Sequence, residues 1–166
     1  MAIKTAERVS VRDLRDVDIF ARLTADDLAQ IADYCTQDAY EAGEYCAVQG
    51  EATEELHIVN EGKVAVGMRV TVVPYTKTVN IATLSRGKVY AWSALVEPNV
   101  LTASVKCIEK TRVISIKASD LQRVFKERLW VEAIVMKNLA VIISSRLRDS
   151  RAQLVSVIAE MIKQGK

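Results

Sequence analysis

The chain has 166 residues, half of them hydrophobic and 27% charged, with a formal net charge of +2. That length suits one domain with a sizeable core and is short for two. So small a charge sets up no field for nucleic acid or anionic lipid, and no apolar run reaches the ~18–20 residues that a membrane span needs. The opening MAIKTAERVSVRDLRD lacks the apolar centre of a signal peptide, so the expected location is the cytoplasm.

Residues 11–23, VRDLRDVDIFARL, carry apolar side chains at roughly helical spacing. Thr24 then precedes ADDLAQIADYC as an N-cap, with Asp26 and Asp27 placed in the first turn to suit the helix dipole and Leu28, Ile31 and Ala32 on one face. After residue 35 the character changes to short strands. One leads into a turn over residues 40–43, and EYCAVQGE is a second, ending at Gly50. ELHIVNEGKVAVGMRV holds two more, residues 56–59 and 63–70, hinged at 60–62. The first alternates imperfectly, whereas the second sets Val64, Val66, Met68 and Val70 on one face. TVVPYTK reads as a loop or edge around Pro74. Strand-like runs return at 78–84, 103–108 and 112–116. Short strands at regular spacing with glycine turns predict a sandwich or barrel.

Helix resumes at SDLQRVFKERL, with Ser119 as cap and Leu121, Val124 and Phe125 on one side. A longer helix is expected over 130–164, roughly 50 Å long and too long to bury on one small barrel. Along it Met136, Ala140, Ile143, Leu147, Ser150, Leu154, Val157 and Met161 are separated by alternating steps of four and three. That is a heptad seam, and it predicts a partner helix. Packing of the helix on its own domain suits only the stretch up to Ile143, where apolar residues occur all round.

Little in the composition points to catalysis. Cys35, Cys46 and Cys107 are isolated and odd in number, which fits small buried hydrophobes in a reducing compartment. His57, the one histidine, has no neighbouring metal-ligand pattern, and neither a nucleophile elbow nor a phosphate-binding glycine loop is present. The chain is not expected to be an enzyme.

Residues 86–107, RGKVYAWSALVEPNVLTASVKC, read as a pocket segment: a glycine turn, a short helical turn, a proline and a small-residue run entering a strand. In that setting the chain resembles the cyclic nucleotide-binding domain, the effector domain of the catabolite activator family and of cyclic-nucleotide-gated kinases and channels. The landmarks are YEAGEYCAVQGE and ELHIVNEGKVAV, and the resemblance runs from VDIFARLTADDLAQIADYC to RLRDSRAQL. It implies a mainly β fold with flanking helices: a jelly-roll-like β-barrel (β-roll) over 36–117, helices over 1–35, and a long C-terminal helix within 118–166, all one domain.

The resemblance also implies a phosphate-binding cassette over 86–107, with a glycine, an aromatic–glycine–glutamate triplet, a helical turn, and an arginine before small residues. Gly87 matches the glycine. The triplet reads Tyr90, Ala91, Trp92, so tryptophan stands in place of the ribose-binding glutamate. Leu101 stands in place of the phosphate-binding arginine, before Thr102, Ala103 and Ser104. Two charge-assisted hydrogen bonds are thereby lost, each worth about 1.5–3 kcal/mol. What remains for a ligand is the turn carrying Trp92, Ser93 and Leu95, the Thr102 and Ser104 hydroxyls, and the Trp92 face for a flat molecule. On the long helix the purine-contacting pair of the catabolite activator type corresponds to Ser150 and Arg151.

The expectation is a homodimeric, non-enzymatic ligand-sensing module with weak or altered nucleotide specificity, signalling to a downstream protein. No cofactor is certain; a cyclic nucleotide or another small flat ligand is the candidate. Only EMIKQGK closes the chain, so no helix-turn-helix and no nucleic-acid partner are expected. The alternative is an interaction scaffold whose pocket is filled by Trp92 and Leu101.

Overall fold

The computed structural model describes residues 3–5 and 8–164 and arranges them as two antiparallel sheets flanked by helices. The strands are β1 (Ile3–Thr5), β2 (Thr36–Tyr40), β3 (Tyr45–Ala47), β4 (Glu55–Glu61), β5 (Lys63–Val72), β6 (Tyr75–Ser85), β7 (Val89–Tyr90), β8 (Ser104–Cys107) and β9 (Thr111–Lys117). One sheet has the order β1-β2-β9-β4-β7 and the other β3-β8-β5-β6. The helices are α1 (Val11–Leu14), α2 (Ala25–Ala32), α3 (Ala118–Glu127) and α4 (Leu129–Gln164). This is the expected β-roll with N-terminal helices and a long C-terminal helix.

Two cores result, and β4 and β9 serve both. Leu56, Ile58, Ile114 and Ile116 face the helices, where Leu14, Phe20, Leu28, Leu121 and Val135 meet them. On their other faces Val59 and Val113 point between the sheets, joined by Val64, Leu84, Tyr90 and Val105. That double burial explains the imperfect alternation of ELHIV: both faces of the strand are apolar because both are covered.

Helix α2 forms as its sequence dictates. The Asp27 backbone N–H donates to Thr24 Oγ1 (3.2 Å), and the Asp27 carboxylate accepts from the Thr24 N–H (3.0 Å), a capping box. Leu28, Ile31 and Ala32 are buried. Residues 11–23 do not form one helix. Helix α1 ends at Leu14, Val17 is extended, and a 3-10 turn covers Asp18–Phe20. The break comes from a tertiary contact: the Asp18 N–H donates to the Gly87 carbonyl (3.0 Å). Val17, Ile19 and Phe20 are buried all the same, so the apolar spacing marked burial rather than helix.

The other departures are local. The stretch expected as a loop or edge is the tip of a hairpin: β5 and β6, ten and eleven residues long, turn at Val73–Pro74, and β6 is an edge strand of its sheet. Val64 is buried, but Met68 and Val70 farther out on that face are exposed, because the hairpin outruns the core. Helix α3 starts at Ala118 with Lys117 as its cap residue, not Ser119. β9 runs straight into it, and the Ala118 N–H is bound by the Glu54 carbonyl (2.8 Å).

Helix α4 is 36 residues long. Its first half packs through Val131, Val135 and Leu139, and the Asn138 amide donates to the carbonyls of Ile19 (3.0 Å) and Ala21 (2.8 Å). Met136, Ala140, Ile143, Leu147, Ser150 and Leu154 are all exposed on this chain, on a different face. The side chains of Val157 and Met161 lie outside the described residues. No helix among the described residues is long and apolar enough to cross a membrane.

Candidate ligand pocket

The segment 86–107 runs from one sheet to the other, carrying β7 of the five-stranded sheet, a helical turn and β8 of the four-stranded sheet. Gly87 begins it at φ +79°, donating to the Val59 carbonyl (2.8 Å). A Cβ there would lie 2.5 Å from the Asp16 carbonyl oxygen, so only glycine allows the N-terminal segment to pass this close. Ala91 follows at φ +56°, ψ +28°, a left-handed conformation that favours glycine. It stands at the glycine position of the triplet, and its backbone keeps the form glycine would take. The helical turn Trp92–Leu95 comes next. Asn99, also left-handed, closes it by donating from its amide to the carbonyls of Ser93 (2.9 Å) and Ala94 (3.1 Å). Leu101 is pinned to the β3–β4 loop on both sides: its N–H donates to the Glu51 carbonyl (2.9 Å), and its carbonyl accepts from Gly50 (2.8 Å).

Between this segment, the β5–β6 hairpin and α4 lies a cavity of about 100 Å³ that opens to solvent. Tyr90, Ala91, Trp92, Ser93, Leu101 and Thr102 line it, together with Ala103 and, across the mouth, Ser150. Gly87, Leu95, Ser104 and Arg151 do not. Gly87 shapes the turn, and Leu95 packs against the helix-side core. The Ser104 hydroxyl accepts from the Gln49 N–H (2.9 Å), and Arg151 is exposed. Neither Trp92 nor Leu101 fills the space. Trp92 leans on the helix-side core, and Leu101 belongs to the core between the sheets, so both are wall residues around an open pocket.

Two pocket features were not expected from the sequence. Arg146 lines the cavity from α4, one turn before Ser150, and is the single charged side chain among the described residues that do so. Ile81 also lines it. The register slips there, with Val66 opposite Ala82 and Gly67 opposite Asn80, so Ile81 is the extra residue of a bulge. Its carbonyl accepts from the Gln153 side chain (3.4 Å), a contact between the barrel and α4.

Behind the pocket, Tyr90 is buried and stacks on His57, with ring centroids 5.2 Å apart at 12°. His57 Nδ1 lies 2.9 Å from the Ser115 hydroxyl, and burial lowers its pKa to about 4. The imidazole is therefore neutral near pH 7 and has a structural place. Burial likewise pushes the Cys35 and Cys46 thiols up to about 12, far from thiolate chemistry.

The arrangement is a β-roll holding a cavity between a glycine-opened segment and the helix that follows the barrel. The sequence model of the cyclic nucleotide-binding domain family matches residues 37–128, and the chain belongs to that family. It is 34% identical over 92 residues to the cGMP-dependent protein kinase egl-4 of Caenorhabditis briggsae, covering 55% of this chain and 12% of the kinase. A cyclic nucleotide-binding domain from Methylobacillus flagellatus superposes with a TM-score of 0.80 at 13% identity, over 93% of this chain and 88% of that one. The catabolite activator protein of Thermus thermophilus superposes at 0.68 with 21% identity, over 84% and 62%. The family match ends at residue 128, before α4 begins, so Arg146 and Ser150 lie outside it.

Proposed function

We propose that the chain is a single-domain, non-enzymatic ligand sensor of the cytoplasm, a homodimer through α4, that signals occupancy of its pocket to a downstream protein. Cyclic nucleotides bind it weakly, because Trp92 and Leu101 occupy the places of the two polar anchors. One observation carries this reading: the cassette and α4 are opposite walls of one open cavity. A ligand seated there touches both and biases the helix relative to the barrel by its unequal contacts with the two arrangements.

Isothermal titration with cyclic AMP and cyclic GMP tests the specificity. Loss of both charge-assisted contacts weakens binding by about 10²–10⁴-fold, so dissociation constants far above micromolar are expected. Sub-micromolar binding of either nucleotide would contradict the reading. The scaffold alternative has less support, since Trp92 and Leu101 leave a cavity of about 100 Å³ beside them.

A further inference from the structure

Resting on that reading of the cavity as a ligand site, we infer that the pocket takes an amphipathic organic anion, its flat apolar body against the barrel and its acid group on Arg146. The two walls differ in chemistry. On the barrel side Val66, Leu84, Leu101 and Val105 form an apolar floor, and Leu101 is only 9% exposed. An anionic group driven against that floor loses its water and finds no cation. On the helix side stands Arg146, half-buried, with the Ser150 hydroxyl one turn on.

Arg146 is also available. It forms no salt bridge among the described residues. Asp18, an electrostatic neighbour across the adjoining cavity, is paired instead with Lys88 at 3.5 Å. A planar guanidinium can hold a carboxylate or a phosphate through two parallel hydrogen bonds, and at a partly buried mouth that contact is screened less than at an open surface. Trp92 offers an aromatic face beside the floor. An apolar end and one anionic end therefore match the cavity, with the anion placed on α4 rather than on the segment that carries Leu101. Ligand charge is thereby tied directly to the helix.

The test compares three probes of one shape: 2-naphthoate, 2-naphthyl phosphate and the neutral 2-naphthamide, titrated calorimetrically into the full chain. The expected result is that at least one anion binds about tenfold or more tightly than the amide. Arg146→Gln removes that preference, so that the anions bind it no more tightly than the amide does, whereas Arg146→Lys keeps most of it. Equal binding of all three probes overturns the inference while leaving the cavity a ligand site. An anion preference that survives in Arg146→Gln also overturns it, by placing the cation elsewhere. Binding of none overturns the inference together with the reading of the cavity on which it rests.

Discussion

Asp27→Asn is expected to lower stability by about 3 kcal/mol, seen as a fall in Tm of roughly 6–12 °C for a chain of this size. Asp27 is 1% exposed, and its two carboxylate oxygens serve two ends of the helical layer. Oδ2 accepts from the Thr24 N–H and hydroxyl at the start of α2. Oδ1 accepts from the Arg128 guanidinium (2.7 Å) and the Trp130 indole (3.3 Å) at the α3–α4 junction. An asparagine can keep one set of partners, but its NH2 then faces the donors of the other. The cost falls at the low end for a broken buried pair because Arg128 still reaches solvent and keeps Asp26 at 2.6 Å.

The pH dependence follows from the same contacts. Burial alone would raise the Asp27 carboxyl, but hydrogen bonds from Thr24, Arg128 and Trp130 together outweigh it and hold it below its ordinary 3.8. A depressed carboxyl stabilises the fold fully above that ordinary value and ceases to do so as pH falls through the lowered one. The Tm gap between wild type and Asp27→Asn is therefore constant near neutrality and closes below about pH 4. Melting curves that coincide at pH 7 would contradict this role.

Leu147→Glu is expected to convert a dimer into a monomer. Met136, Ile143, Leu147 and Leu154 form an exposed apolar stripe on α4, distinct from the Val131, Val135 and Leu139 face that packs inward. Burying each such side chain against a second copy contributes about 1.5–3 kcal/mol before ordering costs. Two glutamates facing each other in that seam meet repulsion and lost hydration, which an exposed face would not impose. Light scattering should give twice the 18.4 kDa chain mass for wild type and one chain mass for the variant. A wild type that is monomeric at tens of micromolar protein would refute the seam, and with it the proposed route from pocket to partner.

Legibility followed the range of the interactions involved. The Thr24 cap, the buried faces of α2 and α3, and the run of short strands are local patterns, and the structure has them. The exposed stripe of α4 was legible as heptad spacing, but the inward stripe of Val131, Val135 and Leu139 was hidden where apolar residues occur all round the helix. Residues 11–23 misled because Gly87, distant in sequence, captures the Asp18 N–H and stops the helix. Ser119 misled because a strand entering a helix directly leaves its first residue as part of the turn.

In the pocket, the substitutions at Trp92 and Leu101 were plain from the segment alone, but whether they fill the space depends on where β6 and α4 stand. Arg146 was within reach of helical periodicity, four residues before Ser150. What kept it hidden was the rotation of α4, which tertiary packing of Val135 and Leu139 sets. The Asn99 latch needed left-handed backbone that no local pattern announces.

Calorimetric titration of cyclic AMP into Trp92→Glu/Leu101→Arg tests most directly whether this is a cassette that lost its two charged anchors but kept its shape. Ala91 in its left-handed conformation, the Trp92–Leu95 turn and the open cavity all predict that the shape is kept. Restoring both contacts should then tighten cyclic AMP binding about 100-fold or more over wild type. A double variant that still melts cooperatively yet binds no better than wild type would contradict the account, since the pocket would then be remodelled rather than altered at two positions.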